Sequence, residues 1–271
     1  MSKGIVWMIR MQVSAISNEE SQEARNLLFP PEIPSRFTES PSRFTESQPW
    51  GSSSYTILDG SHISFNTKRA KVDILTNPHF GRMVFLDGCI QCAESDETIY
   101  HAGVAAKAVE NSPNNILLIG GGEGAMAREI FKAAPHLRRL TMVDWDQEFV
   151  THMRTNENFS KGAFENPKLH IVYMDVMEYF QHTSQLFDSI IVDLVDAVSE
   201  DELKWLASVC RKSLNILYHG KVLVNAGGSY KNMMKLVEYI RSGKDNLTFD
   251  YSVFAVPSFQ QPWYLMSIGK Y

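Results

Sequence analysis

Cysteine is scarce: only Cys89, Cys92 and Cys210 occur in 271 residues, an odd number without the dense spacing of a disulfide framework, which points to a reducing compartment. Cys89-Ile-Gln-Cys92 has CxxC spacing, but no second ligand pair accompanies it, so it reads as a strand beside a turn and no metal site is expected. Long hydrophobic runs are missing too. None approaches the roughly 20 apolar residues of a membrane-spanning helix. The apolar stretch Gly4-Ile5-Val6-Trp7-Met8-Ile9 is cut by Arg10, with no small-residue cleavage site behind it. A cytoplasmic protein with no membrane partner is expected. There is no excess of basic residues: 26 Lys and Arg face 31 Asp and Glu, for a formal net charge of -5. That balance provides no face for nucleic acid and favours small, cationic partners.

What is present suffices for a core. Hydrophobic residues make up 44% of the chain, enough for one sizeable α/β domain with a small appendage. Residues 34–47 are a tandem heptapeptide, Pro-Ser-Arg-Phe-Thr-Glu-Ser written twice within a segment rich in Pro, Ser and Glu. Such a composition buries too little apolar surface to offset its ordering entropy, so residues 1–47 are expected to form a disordered leader. Residues 48–95 carry short strand-like runs broken by Asp59-Gly60, Asn77-Pro78 and Asp87-Gly88, the pattern of a small antiparallel β-domain. After Asp96 the period changes. Ile99, Gly103, Ala106 and Val109 suit a helix that stops at Asn111-Ser112-Pro113-Asn114. Strands are then predicted at 115–119, 139–143, 169–174, 187–192 and 221–226, alternating with helices near 124–134, 147–157, 176–182, 200–217 and 229–241. The alternation predicts a mainly parallel, Rossmann-like sheet over 96–271. Two closing strand-like runs around Pro257 to Pro262 have no helix between them and predict a terminal antiparallel hairpin, an ending typical of AdoMet-dependent transferases.

The chemistry-bearing residues fall at the strand ends. Ile116 to Ile119 runs into Gly120-Gly121-Gly122-Glu123-Gly124, and glycines at such a junction let the backbone approach a ligand beside a helix N-terminus. The first four strands finish in Glu123, Asp144, Asp175 and Asp193, with Asp196 close behind. Each acid alone has a bland reading as a helix cap or turn former. Together, in the crevice at the carboxyl ends of a parallel sheet, they point to a polycationic ligand. Asp144, 22 residues beyond Gly122, is placed to accept ribose hydroxyls. Asp175 is placed to accept from an adenine amino group, with Val176 adding a backbone contact.

Gly120 to Ala125 with Arg128-Glu129-Ile130, Leu86-Asp87-Gly88, Gln91, Glu94, Asp96-Glu97, Tyr100-His101 and Asp193-Leu194-Val195-Asp196 together resemble the polyamine aminopropyltransferases, over about residues 50–271. The resemblance implies decarboxylated S-adenosylmethionine as co-substrate, methylthioadenosine as by-product and no permanently bound cofactor. It implies Asp193 as the acid/base residue with help from Tyr100. Gly120, Gly122, Glu123, Asp144, Asp175, Val176 and Gln91 would hold the donor. Tyr100, His101, Glu123, Asp193, Asp196 and Phe259 would hold the polyamine. A homodimer or homotetramer is the expected assembly. Glu123 in the glycine loop, Asp146-Gln147-Glu148 and Val256-Pro257-Ser258-Phe259 look like the thermospermine synthase branch, which uses spermidine as acceptor. Three departures from the family pattern stand beside these matches: Val72 for a Gln, Ala197 for a Pro, and Asn225-Ala226-Gly227-Gly228 for a Gln-containing turn. The alternatives are a spermidine synthase using putrescine, a catalytically weak binding or regulatory paralogue, and an N-methyltransferase on the same fold.

Overall fold

The computed structural model describes residues 42–48, 51–194, 196–242 and 246–270. Most of the expected leader, residues 1–41, lies outside them. Within the described residues, β1 (Arg43–Gln48) pairs antiparallel with β2 (Gly51–Thr56). Residues 43–47 of the second heptapeptide copy are therefore strand. Composition misses this because two of its side chains find partners far along the chain. The Phe44 ring lies 4.5 Å from Phe85, and buried Glu46 accepts from Tyr55 Oη at 3.0 Å and from the Ile90 amide at 3.0 Å. Deleting residues 1–41 is expected to leave Tm within about 1 °C. Deleting through residue 48 should lower it by about 3–8 °C, since the buried Ile90 amide loses its acceptor, the Tyr55 hydroxyl is left with the Ser258 carbonyl, and Phe85 loses the Phe44 ring. Equal melting temperatures for the two truncations would show that β1 contributes nothing.

A four-stranded antiparallel sheet follows, made of β3 (Ile63–Asn66), β4 (Lys71–Asn77), β5 (Gly81–Leu86) and β6 (Cys89–Ala93). Asp87 and Gly88 both take positive φ, 49° and 80°, between paired Leu86 and Cys89, which is the two-residue hairpin turn the Asp-Gly pair predicts. Val72 is fully buried in the main core, where a glutamine amide would need a partner.

The remainder is the expected α/β unit. Its elements are α1 (Glu97–Ala108), β7 (Asn115–Gly120), α2 (Ala125–Ala133), β8 (Arg139–Asp144), α3 (Gln147–Asn156), β9 (Leu169–Tyr173), α4 (Val176–His182), β10 (Ser189–Asp193), α5 (Glu200–Ile216), β11 (Lys221–Asn225), α6 (Tyr230–Arg241), β12 (Leu247–Val256) and β13 (Gln261–Lys270). The seven strands run in the order β12-β13-β11-β10-β7-β8-β9, with β7 to β11 parallel and β13 antiparallel to both neighbours. Both faces are covered. Ile116 and Leu118 pack toward α1, α2 and α3, while Leu117 and Ile119 pack toward α4, α5 and α6, so β7 reads as a continuous apolar run. Cys210 is sealed in the second layer, where burial pushes its thiol up to about 12 and leaves it inert. The chain leaves β7 toward β8 and β9, then returns to β10 on the other side. This reversal opens a crevice at the carboxyl ends of β7 and β10.

Candidate active site

Helix α1 supplies the first half of the crevice. Its buried stripe is Glu97, Tyr100, His101, Val104, Ala105 and Ala108, a helical spacing whose inner end is apolar and whose N-terminal end is charged. Asp96, just before it, takes the amide of Ser258 at 2.7 Å and its hydroxyl at 2.8 Å, tying the short Pro257–Phe259 turn against the start of the helix.

Asp193 ends β10 opposite Gly120 of β7. Tyr100 Oη donates to Asp193 Oδ1 at 3.1 Å, and Asn225 Nδ2 lies 3.4 Å from the same oxygen. The Asn225 amide is itself fixed, its oxygen accepting from Trp263 Nε1 and from the Gly227 amide, both at 3.0 Å. Burial and the Asp193 charge push the Tyr100 phenol well above its usual value, so it stays a proton donor. His101 reaches Glu97 through Nδ1 at 2.8 Å and Glu123 through Nε2 at 3.4 Å. Burial disfavours its charge, yet the carboxylates of Glu123 and Glu97 outweigh this and hold its pKa at about 10. Ligating atoms of His101, Glu123 and Asp193 come within 4.8 Å of one another. With Glu97 on the other ring nitrogen, His101 sits among three carboxylates, an arrangement that can receive an ammonium.

The acids share one low-polarity crevice. Burial and then Glu123 raise Asp193 to about 6; burial, Asp193 and then Glu46 raise Asp196 to about 7; burial and then Glu123 raise Asp144 to about 6. Each folded value exceeds the usual aspartate value, so the stability these groups contribute is present in acid and lost as pH rises through about 6 to 7. Glu97 acts oppositely, held down to about 2, which matters only in strong acid. The ligand-free protein should therefore melt several degrees higher near pH 5 than near pH 8. Added spermidine should raise Tm more at pH 8, where the acids are ionised. Scanning calorimetry at both pH values checks this, and a Tm that rises from pH 5 to 8 without ligand would contradict it.

The glycine loop is shaped by these neighbours. A Cβ on Gly122 would come within 2.8 Å of Asp144 Oδ2, so glycine there lets the loop close down over that carboxylate. Asp144 Oδ1 accepts from the Asp146 amide at 2.9 Å. Asp175 caps α4, its Oδ1 taking the Met177 and Glu178 amides at 2.7 and 3.3 Å, so its capping role is real and Oδ2 takes neither amide. Val176 is buried as the first residue of α4. Gln91 turns its amide onto the Cys89 carbonyl at 3.1 Å. Phe259 packs at a tilt against Trp263, ring centroids 4.6 Å apart, and lies 6.5 Å from the Tyr100 ring.

A spermine/spermidine synthase domain is recognised over residues 93–271. The chain belongs to the spermine/spermidine synthase family. It is 31% identical to a polyamine aminopropyltransferase of Pseudomonas aeruginosa over 210 residues, covering 74% of this chain and 72% of that protein. It is 29% identical to the polyamine aminopropyltransferase of Thermococcus onnurineus over 201 residues, covering 73% and 71%. In fold it is similar to the spermidine synthase of Thermotoga maritima, with a TM-score of 0.73 at 19% identity over 86% of this chain and 80% of that one. A spermidine synthase solved with the transition-state analogue AdoDATO superposes with a TM-score of 0.75 at 18% identity, covering 86% and 82%.

Within this family framework, two site neighbours were not among the expected site residues, although Asn225 was noted as part of a turn that departs from the family pattern. Asn225 ends β11 at the carboxyl edge of the sheet, the position that singled out Asp144 and Asp193. Its polarity after an apolar strand was the available signal. Glu46 had none, because a strand inside a low-complexity repeat gives no hint that its charge reaches Asp196. Among the described residues, no helix is long and apolar enough to cross a membrane.

Proposed function

We propose that this chain transfers the aminopropyl group of decarboxylated S-adenosylmethionine to a polyamine, releasing methylthioadenosine. The observation that carries this reading is the Tyr100–Asp193 pair at 3.1 Å, set beside Glu123 at the topological switch point. The acceptor nitrogen attacks the methylene carbon next to the sulfonium. A carbon–nitrogen bond forms, the carbon–sulfur bond breaks, and its electron pair neutralises sulfur as a thioether. The leaving group is thus already activated, and the protein has to align the nitrogen and take its proton. A polyamine nitrogen has a pKa near that of lysine, about 10.4, and attacks only when deprotonated. Asp193 accepts or relays that proton while Tyr100 holds its orientation. Asp144 and Asp175, with Val176 and the Gly120–Gly122 backbone, bind the nucleoside. Glu123 holds the donor's bare ammonium and would repel the carboxylate of ordinary S-adenosylmethionine, which argues against a methyltransferase.

Spermidine is the acceptor we favour, giving thermospermine. Phe259, beside Tyr100, carries no phenol to hydrogen-bond the distal ammonium of a short diamine, while its ring can lie against the methylenes of a triamine. Such contact is worth about 0.5–2 kcal/mol, so kcat/KM for spermidine should exceed that for putrescine by about 2- to 30-fold. Incubation with decarboxylated S-adenosylmethionine and putrescine, spermidine or spermine, with chromatographic separation of products, tests both levels. A clear putrescine preference would overturn the thermospermine reading, and no transfer to any amine would overturn the enzyme.

A further inference from the structure

From Glu123 a line of alternating charges runs through the protein to the surface: Glu123, His101, Glu97, Arg128, Glu129 and Lys132. Glu97 accepts from His101 Nδ1 at 2.8 Å and from Arg128 Nη2 at 2.7 and 2.8 Å, while Arg128 also donates Nε to Glu129 at 2.7 Å and Nη1 to the Phe159 carbonyl. Glu97, His101, Arg128 and Glu129 are all buried. As a mere staple between α1 and α2 this is poor design. Apolar residues would join two helices without the desolvation cost of buried ions, and a buried ion pair is weak grounds for stability. What the line does accomplish is to place a cation, His101, against the site.

We infer that Glu97, itself held by Arg128, is a positioning residue that keeps both nitrogens of His101 protonated beside Glu123 and Asp193. The acceptor amine then meets a fixed positive charge as well as carboxylates. This rests on the aminopropyltransferase reading. Its chemical sense is that a crevice lined with acids holds an ammonium but also keeps it protonated, and a protonated amine does not attack. An adjacent imidazolium lowers the proton affinity of the bound nitrogen. The charged and titratable groups facing His101 are Glu97 and Tyr100 from α1, Glu123 from the glycine loop, Arg128 from α2 behind Glu97, and Asp193 from β10, with the buried Cys92 thiol of β6 near the same Glu97 and Glu123. The carboxylates among them support the charged ring, the more so because Glu97 bonds one nitrogen directly.

The test uses the full chain and two readouts. In 15N spectra of histidine-labelled protein, with the His101 signals assigned from His101→Gln, wild-type His101 should keep both ring protons at about pH 8. Glu97→Gln keeps an acceptor for Nδ1–H but removes the charge, so His101 should then titrate at least about one pH unit lower. In turnover, the kcat ratio of Glu97→Gln to wild type should fall by about twofold or more between about pH 6 and pH 9, with KM for the acceptor changing less. Glu97→Asp should restore the profile. A kcat ratio that is low but the same at every pH would mean that Glu97 only staples the helices. Loss of a His101 ring proton in the wild type below about pH 8 would overturn the inference even if Glu97→Gln fails to fold. Absence of transfer by the wild type would instead defeat the aminopropyltransferase reading, while the spectra would still decide the state of His101.

Discussion

Asp193→Asn is expected to fold normally and to lose about 10²–10⁴-fold in kcat, the range attributed to a positioned acid/base group. Asparagine keeps the size of the side chain and an oxygen for the Tyr100 hydroxyl, so the 3.1 Å contact can survive. What disappears is the proton acceptor. KM for the acceptor should change less than kcat, because Glu123 and Asp196 still attract ammonium groups. The same exchange removes a negative charge that pushes up the pKa of Asp196, so Tm near pH 8 should hold or rise. Loss of turnover with retained stability separates a chemical role from a structural one. Release of methylthioadenosine followed by chromatography, beside a calorimetric scan, measures both. Turnover within threefold of wild type would remove Asp193 from the reaction.

Gly120→Ala should act in the opposite way, abolishing activity through the fold. Gly120 has φ of +85°, and a Cβ there would sit 2.0 Å from the backbone oxygen of Asp193 on the paired strand. The obstacle is backbone in the middle of a parallel sheet, so it cannot swing aside as a flexible side chain could. Left-handed strain costs on the order of 1–3 kcal/mol by itself. Parting β7 from β10 adds more, and a total on the order of 5 kcal/mol is expected, the exceptional end for a single substitution. Failure to accumulate as soluble protein, or a midpoint in urea far below wild type, is the expected readout. A variant with unchanged stability would mean that the two strand ends can separate freely.

Local signals in the chain were enough for the elements themselves. Asp87-Gly88 demanded positive φ at two successive residues, which only a tight hairpin turn uses. The apolar run Ile116 to Ile119 could be satisfied only with both faces covered, and so announced a central parallel strand. The acids Asp144 and Asp193 were readable as crevice residues because the carboxyl end of a parallel strand faces the ligand side wherever that strand lies in the sheet. Such features depend on the φ/ψ preferences and side-chain period of a few neighbouring residues. The partners of those acids depend on something else. Tyr100 and Asp193 lie 93 residues apart, Glu97 and Arg128 31 apart, and Glu46 and Ile90 44 apart, and no local period encodes which side chains meet. The order of β1 within a repeat that composition marked as disordered, the insertion of β13 between β11 and β12, and the two carboxylates that flank His101 were all decided by tertiary structure. Each follows from surfaces and charges that become neighbours only after the chain has packed, where burial turns weak preferences into strong ones.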